Sequence, residues 1–230
     1  MTITFSPPSD SLDLDGVYPP QHDSMLLIDA LERAELAAGR NVLDLCTGSG
    51  VVAVAAAAMG AASVTAFDIC PQAVRCSRAH AAHAGVHIDV REGSWTGAVD
   101  FAPFDLIVSN PPYVPTPSSD DMASIPLSAG PAWAWNAGSD GRMVLDPLCT
   151  SAAGLLADGG SLLVVHSALA GVTQSLDLLR SSGLYAYVVA SELIPFGPVL
   201  SARADWLEAT GQIEAGCRTE ELVVIRADKS

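Results

Sequence analysis

Short apolar runs and longer stretches with helical spacing alternate along most of the chain. The runs "NVLDLC" (41–46), "ASVTAFDI" (62–69) and "FDLIVSN" (104–110) have the length and composition of buried strands. Between them, "GVVAVAAAAMG" (50–60) and "CPQAVRCSRAHAAHAG" (70–85) predict helices, and the second has proline in its first turn and glycine at its end. The same pattern predicts further strands at 86–92, 161–167, 184–193 and 221–227, and further helices at 143–157 and 171–182.

The alternation of strands and helices with short glycine-bearing turns predicts an α/β fold. Such a pattern is typical of a mostly parallel sheet with helices on both faces. We therefore expect a Rossmann-like seven-stranded sheet. Its last two strands, joined by a long connection that contains "FGP", are predicted to form an antiparallel hairpin at one edge. Residues 1–20 lack apolar periodicity and are predicted to form an extended arm, and a helix is predicted from Asp23 until Gly39 ends it.

The composition narrows the classes of function. The chain has 230 residues, half of them apolar, which is enough for the core of one domain. Its formal charge of -15 disfavours a nucleic-acid substrate, because affinity for phosphate backbones comes mainly from lysine and arginine, and it favours a basic protein partner or a small molecule. The first cationic residue is Arg33 and the apolar runs are too short to span a bilayer, so we expect a cytoplasmic protein without a membrane partner.

Neither the cysteines nor the histidines have the spacing of a metal site. The five cysteines are scattered without a C-x-x-C pair, which predicts reduced thiols. His80 and His83 share a predicted helix, but Gly85 separates them from His87. We therefore predict no metal.

A glycine-rich turn joins the first predicted strand to the first predicted helix. In "LDLCTGSG" (43–50), Gly48 and Gly50 let the backbone turn sharply and approach a ligand at a helix N-terminus. Asp68 ends the second strand, where a carboxylate can accept both hydroxyls of a ribose. The turn also satisfies the G-x-G-x-x-A pattern of dinucleotide sites, so it predicts a nucleotide-like ligand without choosing between cofactors.

Two further features bear on that choice. Asp44 lies inside the first strand, which is an awkward place for a carboxylate unless a cation or several donors lie nearby. The fourth strand ends in "SNPPYVP" (109–115), whose prolines cannot continue a central strand, so the motif points into the same crevice. With these residues the sequence resembles the class I S-adenosylmethionine-dependent methyltransferases, and "NPPY" resembles those that methylate planar nitrogen.

The resemblance implies roles for the four residues of this motif. An amide nitrogen is a weak nucleophile, so catalysis consists mainly of orienting the NH2 group and drawing charge from its hydrogens. In the resembling enzymes the Asn side-chain oxygen and the first Pro carbonyl accept these hydrogens, which here implies Asn110 and Pro111. The ring of Tyr113 would pack on the flat group, and Pro112 would add stiffness.

Two flanking segments resemble one branch of that family. "VYPPQHDSMLL" (17–27) and "AWNAGSDGR" (134–142) are similar to the HemK-like release-factor glutamine methyltransferases, in the short form without the helical N-terminal domain. The resemblance implies a division into an arm and lid helix at 1–35 and a class I methyltransferase domain at 36–230. In the lid, Tyr18, Pro20, Asp23 and Ser24 would cover the cofactor, with Ser24 near its carboxylate. Alternatively, Asp23 or Ser24 is the N-cap of the helix.

The resemblance also implies the cofactor, S-adenosyl-L-methionine, and the residues that bind it. One position departs from the family, because Ser94, followed by Trp95, stands where an acidic residue usually faces the adenine. Trp133 and Trp135, in the loop after the motif, are either packing anchors or part of the substrate surface. The implied cofactor-binding residues are Tyr18, Ser24, Asp44, Cys46, Thr47, Gly48, Gly50, Asp68, Ile69, Gly93, Ser94, Trp95 and Asn110.

The acceptor implied by the resemblance is a glutamine side chain of a peptide chain release factor. Short-form relatives work with a small zinc-binding activator subunit, and the sequence leaves open whether this chain needs one. Other hypotheses are a small-molecule N-methyltransferase of specialised metabolism, an amino methyltransferase of DNA or RNA, and a dinucleotide-dependent oxidoreductase or cofactor-binding regulator. The acidic composition disfavours the nucleic-acid alternative.

Overall fold

The computed structural model describes residues 16–118, 125–126 and 129–230, so part of the predicted arm lies outside the described residues. Within this part of the chain, seven strands form one sheet in the order β3-β2-β1-β4-β5-β7-β6. The strands are Asn41–Leu45 (β1), Ser63–Asp68 (β2), Asp89–Glu92 (β3), Phe104–Ser109 (β4), Leu156–Ser167 (β5), Tyr185–Pro195 (β6) and Thr219–Asp228 (β7). The helices are His22–Arg33 (α1), Val51–Ala58 (α2), Pro71–Ala84 (α3), Trp95–Ala98 (α4), Leu145–Leu155 (α5), Val172–Ser181 (α6) and Pro198–Ala209 (α7).

The sheet is parallel from β3 to β5 and antiparallel at its other edge. β1 pairs in parallel with β2 and β4, and β4 pairs in parallel with β5. β7 lies between β5 and β6 and runs antiparallel to both. The predicted fold class, including the antiparallel hairpin of the last two strands, is confirmed. The position of β7 between β5 and β6 was not predicted, because a hydrophobic pattern does not show the order of strands in a sheet.

Helices cover both faces of the sheet, as the nearly continuous apolar strands predict. In β4, Ile107 belongs to the core on the face that carries α5 and α7, whereas its neighbours Leu106 and Val108 belong to the core beneath α1 and α2. All three side chains are fully buried. Alternate residues of one strand therefore anchor opposite helical layers, which fixes the register of β4 and with it the position of Asn110.

Helix α7 occupies the connection between β6 and β7, which the sequence pattern predicts only as a long connection. The helix begins with Pro198 after Gly197, and Val199, Leu200 and Leu207 share its buried face. Arg203 lies on the same face and is 1% exposed. This arginine interrupts the apolar stripe and hides the helical spacing.

Several predicted bounds shift by a few residues. The third strand begins at Asp89 rather than residue 86, and helix α5 ends at Leu155 rather than 157. Gly159 and Gly160, which lie between the predicted helix 143–157 and the predicted strand 161–167, are part of β5, where the register shifts relative to β4. Across the described ranges, no helix has the length and apolar character needed to cross a membrane.

Candidate active site

A crevice lies at the carboxyl ends of β1, β2 and β4. The strand order reverses between β1 and β4, and ligands of open α/β sheets bind at such a switch point. A cavity of about 300 Å³ opens there. It brings together twelve of the predicted site residues, namely Tyr18, Ser24, Asp44, Cys46, Thr47, Gly48, Asp68, Ile69, Gly93, Ser94, Asn110 and Pro112.

The two glycines of the loop after β1 have different surroundings. Both have left-handed backbone conformations, with φ 55° at Gly48 and φ 79° at Gly50. Gly48 lines the cavity and its Cβ position faces open space, so the backbone is exposed to a ligand there. A Cβ on Gly50 would lie 2.3 Å from the Ser77 hydroxyl oxygen. Gly50 therefore allows α2 to pack closely on α3 and does not line the cavity.

Asp68, at the end of β2, is held by backbone donors. Its Oδ2 accepts a hydrogen bond from Gly48 N at 2.9 Å, and its Oδ1 accepts one from Cys70 N at 2.9 Å. Burial raises the pKa of Asp68, and the two backbone N–H groups partly offset this by stabilising the charged form. The carboxylate is thus fixed across the glycine loop at the edge of the cavity.

Asp44 lies deeper, inside β1, and is 1% exposed. Its Oδ2 accepts a hydrogen bond of 2.6 Å from the Thr47 hydroxyl. Burial raises its pKa to about 7, despite that bond and a further one from the backbone of Ala53. A buried carboxylate of this kind gains stability when a cation comes near.

The charge of the cavity distinguishes between cofactors. Asp44 and Asp68 line it, and no lysine or arginine occurs among its described lining residues. A dinucleotide carries a negatively charged pyrophosphate, which these carboxylates repel. S-adenosylmethionine carries a positive sulfonium and an ammonium group, which they attract. Methyl transfer turns the sulfonium into a neutral thioether, so the same carboxylates hold the product less strongly.

Apolar side chains surround the mouth of the cavity. Ile69 is 66% exposed and follows Asp68 directly, and Trp133 and Met143 line the same cavity from the loop after the NPPY motif. Trp135 is buried, with the Arg203 guanidinium carbon 4.7 Å from its ring centroid. The structure therefore separates the two tryptophans. Trp133 lines the large cavity, whereas Trp135 is buried against Arg203 and lines a narrow cavity beside the NPPY motif.

The NPPY motif begins directly after β4 and borders two cavities. All four residues of the motif line a narrow cavity, and Asn110 and Pro112 also line the large cavity beside it. Asn110 Nδ2 donates a hydrogen bond of 3.2 Å to the Ser24 hydroxyl oxygen. This bond uses the amide nitrogen of Asn110 and leaves its Oδ1 to accept a hydrogen bond from an acceptor NH2 group.

Asp23 connects the N-terminal segment to the motif. Its Oδ2 accepts hydrogen bonds from the hydroxyls of Tyr113 at 3.0 Å and Tyr18 at 3.3 Å, and its Oδ1 accepts one from Ser24 N at 2.6 Å. Burial and the nearby Asp23 raise the pKa of both phenols, which therefore remain donors. The alternative that Asp23 or Ser24 caps the helix is wrong, because Gln21 is the N-cap and Asp23 lies in the first turn of α1.

The remaining predicted residues lie along the same rim. Cys46 has φ 60°, an uncommon conformation for a residue with a side chain, and burial raises the pKa of its thiol. This keeps the thiol protonated and argues against a nucleophilic role. Ser94 caps helix α4, and its hydroxyl lies 2.6 Å from that of Thr96. The side chain of Trp95 lies outside the described part of the structure.

The loop after the motif is held in place by Arg203 of α7. Its guanidinium donates hydrogen bonds to the Pro115 carbonyl at 2.6 Å and to Asn136 Oδ1 at 2.5 Å. Backbone hydrogen bonds between Val114 and the segment 135–137 complete this attachment. Sequence reasoning missed Met143 and Pro131 as lining residues, because only the folded loop after the motif brings them to the cavity. It also missed Phe67, which lies in β2 directly before Asp68.

Comparison with known proteins agrees with this geometry. The sheet order, the glycine loop and the acidic strand ends define a class I S-adenosylmethionine-dependent methyltransferase. The Methyltransferase small domain family matches residues 16–125. A putative protein N5-glutamine methyltransferase of Methanocaldococcus jannaschii is 30% identical over 82% of this chain and 91% of its own length. The chain therefore belongs to the protein N5-glutamine methyltransferase family, whose methyl donor is S-adenosylmethionine.

Bacterial relatives are longer than this chain. The release factor glutamine methyltransferase of Deinococcus radiodurans is 39% identical over 66% of this chain, which spans 54% of that relative. Among solved structures, the Mtq2–Trm112 complex of E. cuniculi has a TM-score of 0.63 at 20% identity, with 94% of this chain and 99% of that chain covered. A T. thermophilus 16S rRNA methyltransferase with AdoMet and guanosine has a TM-score of 0.56 at 20% identity, with 92% and 44% covered. These two structures support the fold.

Proposed function

We propose that this chain transfers the methyl group of S-adenosylmethionine to the side-chain amide nitrogen of a glutamine in a peptide chain release factor. The observation that carries the proposal is the position of Asn110, whose Oδ1 is left to accept a hydrogen bond where the cofactor cavity meets the narrow cavity of the motif. Relatives named as release factor glutamine methyltransferases, at 39% and 35% identity, support the choice of acceptor.

In the proposed reaction the chain positions the cationic methyl donor and the flat acceptor amide, and it removes no proton from the amide before methyl transfer. Asp44 and Asp68 attract the cationic methyl donor, and Asp68 accepts hydrogen bonds from its ribose. Asn110 Oδ1 and the Pro111 carbonyl accept the two hydrogens of the acceptor amide, which places its nitrogen lone pair towards the methyl group. As the nitrogen forms its bond to the methyl carbon and the carbon–sulfur bond breaks, positive charge would move onto the amide, and these two acceptors would stabilise it. One amide proton would then pass to water, which leaves the neutral N-methylamide and a neutral thioether.

We further propose that residues 1–35 act as a lid over both substrates. The contacts of Ser24 with Asn110, and of Tyr18 and Asp23 with Tyr113, support this role, because they attach the N-terminal segment to the motif. Cofactor binding by Tyr18, Ser24, Cys46, Thr47, Ile69, Gly93, Ser94 and Trp95 is part of the same proposal. Gly50 has a packing role instead, since it touches α3.

The test is mass spectrometry of a release factor incubated with this enzyme and S-adenosylmethionine. We expect one added methyl group on a single glutamine, and none when the target glutamine is changed to glutamate. Unmodified release factor after incubation with folded, cofactor-binding enzyme contradicts the proposal. The same assay tests the need for an activator subunit, because a solved relative is a two-protein complex. Activity of the purified chain alone excludes that requirement.

A further inference from the structure

A second cavity, of about 270 Å³, lies on the far side of Tyr113 from the cofactor cavity. Five separate parts of the chain line it, namely the segment from Tyr18 into the start of α1, the residues after β4, Trp135 of the following loop, the segment from β6 into α7, and the start of β7. Its volume is several times the share of one liquid water, about 30 Å³. The cavity can therefore hold a side chain of several atoms.

The walls of this second cavity are largely apolar, and two carboxylates stand among its polar groups. The other polar lining residues are Tyr18, Gln21, His22, Tyr113 and Trp135. Asp23 is 4% exposed and Glu220 is 7% exposed, and both line the cavity. No lysine or arginine is found among the described lining residues. The apolar wall is formed by Val114, Ile194, Phe196, Val199, Leu200 and Leu222.

Glu220 is the residue that indicates a ligand. Its Oε2 is buried and has no hydrogen-bond partner in the part of the chain that the structure describes, although the Ser167 hydroxyl bonds to the carboxyl group. Burial, with a smaller contribution from the nearby Asp23, raises the pKa of Glu220 to about 7 despite the hydrogen bond from Ser167. A carboxyl oxygen left unpaired in an apolar setting is costly, and a cation or strong donor would remove that cost. Asp23, by contrast, already accepts hydrogen bonds from Tyr18, Tyr113 and Ser24.

We propose that this cavity is a subsite that binds a basic side chain of the acceptor protein, with its apolar stem against the wall and its ammonium or guanidinium group on Glu220. The inference rests on the proposed function, and it names a residue that selects the acceptor. A metal ion is a poor occupant, because no group of three potential metal ligands occurs within the described residues. An organic cation matches both the carboxylate and the apolar wall, and the net charge of -15 attracts a basic partner over longer distances.

The position of the cavity explains what such a contact would do. Tyr113 lines both the narrow cavity of the NPPY motif and the second cavity, and Asp23 does the same. A basic side chain held on Glu220 would therefore fix the acceptor chain beside the amide that Asn110 orients. The contact acts on binding of the acceptor and does not touch the reacting atoms.

The test uses Glu220→Gln with Glu221→Gln as its matched control. Both variants remove one carboxyl group from adjacent residues of β7, but Glu221 is exposed on the opposite side of the strand. In methyl transfer to the release factor, we expect Glu220→Gln to raise KM for the acceptor about tenfold, with kcat and KM for S-adenosylmethionine within about threefold of wild type. Glu221→Gln should match the wild type. An unchanged acceptor KM in Glu220→Gln overturns the subsite.

A second measurement does not depend on the identity of the acceptor. Calorimetry with n-butylguanidinium and n-butylammonium should show binding to the wild type and Glu221→Gln with S-adenosylhomocysteine bound, and about tenfold weaker binding to Glu220→Gln. The neutral probe n-butanol should not distinguish the variants. Failure of release-factor methylation together with these binding differences overturns the proposed acceptor and keeps the cation subsite. Absence of probe binding to the wild type, or equal binding by Glu220→Gln, overturns the subsite.

Discussion

The cofactor cavity and the second cavity lie on either side of the NPPY motif, and both combine two carboxylates with apolar walls. They are built in different ways. The carboxylates of the cofactor cavity, Asp44 and Asp68, come from neighbouring strands and are held by donors from the glycine loop. Those of the second cavity, Asp23 and Glu220, come from opposite ends of the chain, and Glu220 keeps one oxygen unpaired.

The difference indicates what each cavity is prepared to bind. Donors already organise the carboxylates of the cofactor cavity, so a small ligand of constant structure finds a preformed site. The unpaired oxygen of Glu220 lacks a partner until an acceptor arrives. The carboxylates of the cofactor cavity therefore need no further partner from the protein, whereas Glu220 of the second cavity gains its partner from the acceptor protein.

The largest expected effect on activity comes from replacing Asn110, which lies between the two cavities. Asn110→Ala removes the acceptor of an amide hydrogen and should lower kcat about 100-fold to 1000-fold, as loss of a group that stabilises transition-state charge does. The Kd for S-adenosylmethionine, measured by calorimetry, should change less than about threefold. Asn41→Ala, an exposed asparagine at the opposite end of β1, is the control. A methyl-transfer rate equal to wild type in Asn110→Ala contradicts the mechanism.

The next largest effect should be confined to the cofactor cavity. Asp68→Ala removes a carboxylate that holds Gly48 N and Cys70 N, and with it the proposed acceptor for the ribose hydroxyls. We expect the Kd for S-adenosylmethionine to rise by about 10-fold to 100-fold, the range for losing charged hydrogen bonds. Asp100→Ala, which removes an exposed carboxylate, should leave the Kd unchanged. Equal affinity in Asp68→Ala and wild type would remove Asp68 from the site.

A smaller effect should come from the hydrogen bonds to Asp23. Tyr113→Phe keeps the ring and removes the hydroxyl that donates to Asp23 at 3.0 Å, so the motif loses one attachment to α1. We expect kcat to fall about tenfold, with an unchanged Kd for the cofactor. Tyr18→Phe removes the longer bond of 3.3 Å to the same oxygen and should have a smaller effect. A kcat equal to wild type in Tyr113→Phe would show that this attachment is unimportant for turnover.

The smallest effect is on stability and depends on pH. Burial raises the pKa of Asp44 from 3.8 to about 7, so between these values the folded protein keeps a proton that the unfolded chain has lost. The stability of the wild type therefore falls as pH rises through this range, and Asp44→Asn removes the loss. Without cofactor, the Tm of Asp44→Asn should exceed that of wild type by several °C at pH 8 and by less at pH 5, because the cost of ionising the buried carboxyl is complete only above about pH 7.

The control for this stability effect is Asp100→Asn, which changes an exposed carboxylate and should not shift the Tm. A Tm difference between Asp44→Asn and wild type that is the same at both pH values contradicts the assigned cause. With S-adenosylmethionine present, the order should reverse, because the wild-type carboxylate then faces the cationic cofactor.

The same comparison explains how much the sequence could predict. The cofactor half was predictable because its signals are local, with Gly48 in a strand-to-helix turn and Asp68 at the next strand end. The motif at Asn110 is local as well. Even there, the packing role of Gly50 against Ser77 required the structure, because the contact joins two helices.

The second cavity could not be predicted from the sequence. In the linear sequence, Glu220 is one of two adjacent glutamates, and only the alternation of β7 buries one and exposes the other. Its apolar wall depends on α7, whose buried Arg203 masks the helical pattern. The hydrogen bond from Tyr113 to Asp23 joins residues that are 90 positions apart, and only tertiary packing brings them together.

The division of labour between the two cavities is tested most directly by measuring both Michaelis constants of Asp68→Ala and Glu220→Gln in one methyl-transfer assay. Asp68→Ala should raise KM for S-adenosylmethionine about tenfold or more and leave KM for the release factor near its wild-type value. Glu220→Gln should raise KM for the release factor and leave KM for S-adenosylmethionine near its wild-type value. If both variants raise the same constant, the two cavities do not bind separate substrates and the account is wrong.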